Sequence, residues 1–187
     1  MALPVTPSQT IGPFFAVGLI WADGPEVVAD GTPGAVRVAG RVLDGAGHPV
    51  PGTLVEIWQA NAGGRYRHDG DRHPAPLDPN FSGAGRCLTD AEGRWAIRTV
   101  KPGPLPAPDG GTEAPHLDVS VFARGLLGRV VTRIYFPDEA EANAADPLLR
   151  SIPDPRMRER LVAVSDGDGL RFDIHLQGDQ ETPFLAI

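Results

Sequence analysis

The chain is poor in cysteine, in lysine and in long apolar runs. Cys87 stands alone among 187 residues, so there is no internal disulfide and no thiolate metal site. That usage fits a reducing interior and gives the cytoplasm as the expected compartment. Lys101 is the single lysine and the formal net charge is −7. Nucleic acid and anionic membrane surfaces need clustered Lys/Arg and are excluded as partners, although a small anionic substrate can still meet a local arginine. The apolar stretch 11–21 is broken by Pro13 and falls well short of the roughly 20 residues of a membrane span. The first positive charge is Arg37, so neither a signal peptide nor a transmembrane helix is expected. No repeat, coiled coil or low-complexity tail is present.

Glycine and proline, by contrast, are plentiful, at 23 and 20 residues, and they punctuate a sequence that is 41% hydrophobic and 22% charged. Many turns between short strands point to a soluble all-β chain, and the length suits one domain with a sizeable core. Residues 1–33 read as an extended N-terminal arm whose Phe14, Phe15, Leu19, Ile20 and Trp21 must be buried somewhere, on its own sheet or on another subunit. Residues 34–187 read as a β-sandwich core. Alternation predicts strands at 36–44, 95–100, 116–123, 129–136 and 170–176, with a hairpin turn at 124–128. Two long loops, 69–85 and the proline-rich 101–115, are of the length that is usually functional. Short helices are predicted at 138–145 and 154–164.

The densest stretch is 54–68, LVEIWQANAGGRYRH. An apolar strand, expected to be buried on both faces or nearly so, runs into Gly63-Gly64, which ends it and delivers Tyr66, one of only two tyrosines. His48 lies in the preceding Gly/Pro loop and reads as a loop histidine. Tyr135, the other tyrosine, lies on the last strand of the hairpin.

The segments GHPVPGTLVEIWQANAGGRYRH, LDPNFSGAGRCLTDAEGRW and VKPGP, and the strand at His116, together resemble the intradiol ring-cleavage dioxygenases over most of the chain. The resemblance implies a β-sandwich of the intradiol dioxygenase type with long loops, an N-terminal arm and one or two short helices. It also implies a ferric site of two tyrosinates and two histidines, in which hard anionic oxygens offset the charge of Fe(III). Tyr66 matches the first tyrosine position. At the second, after Pro-Gly-Pro, stands Leu105, which binds no metal, and the paired His-X-His reads His116-Leu117-Asp118. The four positions Tyr66, Leu105, His116 and Asp118 are therefore expected to be a vestige, with no metal bound by this chain and no catalytic residue in it.

The opening TPSQTIGPFF and the segment FARGLLGRVVTRIYFPDEAEAN narrow the resemblance to the alpha chain of a two-chain member of the family. What that implies is an alpha–beta hetero-oligomer in which a homologous beta chain carries Fe(III). The reaction implied is oxidation of a small aromatic substrate, 3,4-dihydroxybenzoate, by O2 to 3-carboxy-cis,cis-muconate. Thr10, Gly12 and Pro13 would line the partner's substrate pocket, and Arg133 would hold the substrate's carboxylate, a guanidinium being a planar, always-charged partner for it. Two alternatives stand beside this one. Tyr66, His116 and Asp118 could make an altered three-point site in an active single chain, or the sandwich could be a binding module with no chemistry.

Overall fold

The computed structural model describes residue 10 and residues 14–78, 81–108 and 110–186. The strands, in chain order, are β1 (Ala35–Leu43), β2 (Leu54–Trp58), β3 (Ala84–Leu88), β4 (Arg94–Val100), β5 (Leu105–Pro106), β6 (Thr112–Glu113), β7 (His116–Phe122), β8 (Val130–Tyr135), β9 (Val164–Asp166), β10 (Gly169–Arg171) and β11 (Ile174–His175). Four short helices accompany them among the described residues: α1 (Phe14–Leu19), α2 (Ala140–Ala145), α3 (Pro147–Ser151) and α4 (Pro155–Glu159).

Strand β1 is the centre of a five-stranded sheet, antiparallel to β4 on one side and parallel to β10 and β11 on the other, with β9 beyond β10. The second sheet is antiparallel throughout in the order β3-β2-β7-β8. Side chains alternate along a strand, so the pattern HLDVSVF in β7 sends Leu117, Val119 and Val121 one way and His116, Asp118 and Ser120 the other. The first set meets Val38, Ile97 and Ile174 of the facing sheet in a shared hydrophobic core with Val55, Ile57 and Ile134. Burying each such side chain contributes about 1.5–3 kcal/mol, so this alternation fixes which face of the second sheet is left for polar work. That outward face is itself partly covered. Tyr135 packs there with Ala114, Leu149 and Leu161 in a second, smaller cluster.

Several expectations are corrected. Gly85, expected at the end of the long loop 69–85, lies inside β3, where a Cβ would come within 2.6 Å of the Val27 side chain, so close packing requires a glycine there. The loop 101–115 contains the small β5–β6 hairpin. The helix predicted over 154–164 ends at Glu159, because Tyr135 claims the following segment: its N–H donates to the Leu161 carbonyl and its carbonyl accepts from Ala163. The strand predicted over 170–176 breaks between β10 and β11. There it runs alongside β1 so closely that a Cβ on Gly40 would sit 1.8 Å from the Phe172 carbonyl oxygen. Strand β2 is buried on both faces at Leu54 and Val55 and opens on one face toward its end, where Glu56 is half-buried and Trp58 is 39% exposed. The arm carries α1, and its later part packs on its own sheets through buried Val27 and Val28 and through Trp21 under the Arg86 guanidinium.

Candidate functional site

The register of the second sheet assembles the site. Pairing of β2 with β7 and of β7 with β8 sets Trp58, Asp118 and Arg133 in one row across the outward face, with His116 and Tyr135 opposite each other in the next. Tyr66 reaches the same face by way of the turn after β2. Asn61 organises that turn, its side-chain oxygen accepting from the N–H groups of Gly63 and Arg65. Gly64 has φ +78°, and a Cβ on it would lie 2.4 Å from the Pro104 carbonyl oxygen. Gly103 in turn donates to the Asn61 carbonyl. Only glycine allows the two loops to lie this close, and the result is a Tyr66 ring stacked on Trp58 at 5.8 Å between centroids and 9° between planes.

Around Asp118 the polar groups interlock. One carboxylate oxygen accepts from the Tyr66 hydroxyl at 3.1 Å and the other from Arg133 Nε at 3.0 Å. Arg133 Nη1 lies 3.0 Å from Glu113 Oε2, an ion pair whose N–H is not aligned for a hydrogen bond. The imidazole of His116 is buried, with Nδ1 2.7 Å from the Ala114 carbonyl. A carbonyl only accepts, so Nδ1 carries the proton and Nε2 of the neutral ring bears a lone pair. Burial, with the Arg133 charge adding to it, holds the ring's pKa below the ordinary histidine range, in keeping with that neutral form. Nε2 makes no hydrogen bond and lies 3.6 Å from Glu113 Oε2 and 3.7 Å from Asp118 Oδ1. Burial and then the Asp118 carboxylate push the Tyr66 phenol well above the ordinary tyrosine range, so it stays a protonated donor. Behind His116, Tyr135 donates to Asp146, whose carboxylate also caps α3 through Leu149 N–H and accepts from Ala114 N–H.

Tyr66, His116, Asp118 and Arg133 are thus brought together. Leu105 lies in β5 and pairs with Glu113. Thr10 does not join them: its hydroxyl accepts from Gly125 N–H at 2.8 Å, beyond the opposite end of β7. Gly12 and Pro13 lie outside the described residues. Two contributors escaped the sequence reading. Asp146 was detectable as a helix N-cap preceding Pro147, whereas nothing near Glu113 marks its side chain as a partner of Arg133. Beside Asp118 an open depression of about 210 Å³ is lined by Trp21, Glu56, Trp58, Arg86 and Arg129, small for an aromatic ligand site. A larger cleft of about 670 Å³ lies at the far end, against Pro49, Arg124 and Leu176.

Over 98% of its length and 96% of the relative's, the chain is 39% identical to the protocatechuate 3,4-dioxygenase alpha chain of Pseudomonas putida. It is 46% identical to the beta chain of the Burkholderia cepacia enzyme, over 79% of this chain and 66% of that one. A family model described as Dioxygenase matches residues 11–178. The chain belongs to the intradiol ring-cleavage dioxygenase family. Among solved structures, the dioxygenase domain of a dioxygenase carbohydrate-binding fusion from Streptomyces sp. SirexAA-E aligns with a TM-score of 0.61 and 31% identity, covering 92% of this chain and 98% of that one. The intradiol sandwich anticipated from the motifs is the fold observed.

The residues present do not fit the Fe(III) of an intradiol dioxygenase. Among the described residues no group of three or more His, Cys, Asp or Glu side chains is arranged to hold a metal ion. Leu105 offers no donor, the Tyr66 hydroxyl donates a hydrogen bond to Asp118, and Asp118 is engaged by a guanidinium.

Proposed function

We propose that this chain is the alpha chain of a protocatechuate 3,4-dioxygenase, a cytoplasmic alpha–beta hetero-oligomer in which the homologous beta chain carries the Fe(III). The assembly cleaves 3,4-dihydroxybenzoate with O2 to 3-carboxy-cis,cis-muconate, and this chain shapes the pocket without performing the chemistry. The observation that carries the reading is the state of the ligand positions. Of the four positions that the resemblance implies as ligands, two hold Leu105 and Asp118, and the other two, Tyr66 and His116, make hydrogen bonds within the chain. Similarity to alpha chains over nearly the whole length supports it; the match to the beta chain, although higher in identity, stops at 66% of that chain.

Within this reading Thr10, Gly12 and Pro13 remain wall residues for the partner's pocket, and Thr10 is exposed at the opposite end of β7 from the vestigial site. Arg133 enters it with less weight. Glu113 and Asp118 already share its guanidinium, so a substrate carboxylate would compete with two carboxylates for one cation. Co-expression with the homologous beta chain followed by purification and metal analysis tests the proposal. The expected result is co-purification, with iron following the beta chain. Near one ferric ion per isolated 187-residue chain, with tyrosinate–iron absorption, would overturn it.

A further inference from the structure

Seven Asp-Gly steps occur in the sequence. At such a step the glycine nitrogen can attack the aspartate side chain, because glycine has no Cβ to obstruct the approach. The fold restrains several of them. Gly24 donates its N–H to the Trp21 carbonyl and packs on the Arg86 backbone. The Asp44 carboxylate is held by the N–H groups of Ala46 and His48, Asp30 pairs with Arg98, and Gly169 lies inside β10 against the Arg37 carbonyl. Asp69-Gly70 is placed differently. Both residues are exposed, the Asp69 carboxylate has no partner among the described residues, and the Gly70 N–H donates to His68 Nδ1 at 3.0 Å. The Asp71 N–H closes the turn on the His68 carbonyl at 3.0 Å and so keeps the imidazole over the step.

We propose that Asp69 is a site of spontaneous isomerisation to isoaspartate, with His68 as the general base. An imidazole nitrogen that accepts from a backbone N–H bears a lone pair, so Nδ1 is aimed at the one proton that the Gly70 nitrogen must lose before it can attack. The Gly70 nitrogen then bonds to Asp69 Cγ and its proton passes to Nδ1. A carboxyl oxygen departs as water, carrying that proton and one that the carboxylate takes up from solvent. Water opens the five-membered imide at either carbonyl and leaves aspartate, or isoaspartate with the main chain running through the former side chain. The product adds a carbon to the backbone between Tyr66 and Asp71. That is the span across which the Asp71 carboxylate accepts from the Tyr66 N–H at 2.7 Å, so the change falls on the turn that carries Tyr66 to the outward face. The proposal concerns this chain alone and holds whether or not the partner reading does.

The test is slow ageing of the folded full chain at neutral pH, followed by trypsin digestion and quantification of isoaspartate by chromatography and fragmentation. Cleavage after Arg67 and Arg72 isolates the step in the peptide His68–Arg72. Asp166-Gly167, in the exposed turn between β9 and β10 and without a neighbouring histidine, is the internal reference. In the native protein Asp69 should isomerise at least about tenfold faster than Asp166, a modest share of what a positioned base supplies. His68→Ser separates the base from the turn: a serine hydroxyl accepts from the N–H two residues on, as in other serine turns, but does not take its proton. In that variant the two rates should converge, and in guanidinium chloride, where the turn is lost, the excess at Asp69 should vanish from the native sequence as well. Equal rates at the two steps in the folded native chain, an excess that survives His68→Ser, or one that persists in denaturant would each overturn the proposal.

Discussion

Cys87 lies between the sheets, and burial pushes its thiol up to about 11. The thiolate is the reactive form, so the native protein should resist a disulfide reagent such as Ellman's at mildly alkaline pH and release one equivalent of thiol only in denaturant. Rapid native labelling would mean that the sandwich opens far more readily than its core implies. Around Asp118 the individual residues differ in what they sustain. Tyr66→Phe removes one hydrogen bond from an Asp118 that stays partly solvated, and the stack on Trp58 survives, so a loss of about 0.5–1.5 kcal/mol in urea unfolding is expected. Arg133→Met leaves Glu113 and Asp118 together without a cation. Breaking a buried pair costs about 3–5 kcal/mol, and the residual exposure of these groups lowers the expected loss to about 2–4 kcal/mol. Equal losses for the two variants would show that the guanidinium carries no special charge role. Tyr66, His116, Asp118 and Arg133 were all visible in the sequence because a motif or a strand face marked them. Glu113 was not: its part depends on β5 and β6 folding the proline-rich loop back toward β8, which no local pattern reports.

At the scale of elements, the loops hold each other in place. Gly64→Ala would put a side chain at φ +78° and against the Pro104 carbonyl, and strained backbone of this kind costs about 1–3 kcal/mol before the clash is added. The expected signature is a destabilised protein that has also lost the near-UV circular dichroism of the Trp58–Tyr66 stack. Lys101, just past β4, bonds to Asp138 and Glu139 ahead of α2. The bond from Lys101 holds Asp138 below the ordinary carboxylate pKa, and those from Asp138 and Glu139 hold Lys101 above the ordinary lysine pKa. A depressed carboxylate contributes stability above its unfolded pKa and loses it as pH falls through the folded one; a raised lysine contributes below its unfolded pKa and loses it as pH rises through the folded one. Lys101→Ala should therefore cost about 0–1 kcal/mol, given the solvent exposure of the cluster, with a deficit flat from about pH 5 to about pH 9 that closes in acid. A deficit that grew on acidification would sink the assignment. Strands β1, β4, β7 and β8 were legible because alternation is a local signal. Strand β3 and the break between β10 and β11 were not, since each depends on a glycine whose neighbour, Val27 or Phe172, comes from a distant part of the chain.

On the scale of the whole molecule, the arm decides between a self-sufficient sandwich and a subunit. Among the described residues its tether to the rest is modest: the Thr10 hydroxyl accepts from Gly125 N–H, the Leu19 carbonyl accepts from Arg86, and the Arg86 guanidinium lies 4.3 Å from the centre of the Trp21 ring. Val17, Ile20 and Trp21 are nonetheless 79%, 39% and 44% exposed, more apolar surface than a solvated segment of this size usually presents. Val27 and Val28, by contrast, are part of the core, so the boundary between arm and sandwich falls between residues 21 and 27. Deleting residues 1–21 should then leave a folded sandwich, weakened by about 1–4 kcal/mol through loss of two hydrogen bonds and one cation–π contact. On the proposed function the same deletion should abolish association with the iron-bearing chain, read by co-purification and by sedimentation. Two outcomes separate the arm's roles. A truncated chain that still assembles and supports full protocatechuate turnover would show that the arm's exposed apolar groups serve no interface, whereas one that fails to fold would show that the arm belongs to the sandwich itself.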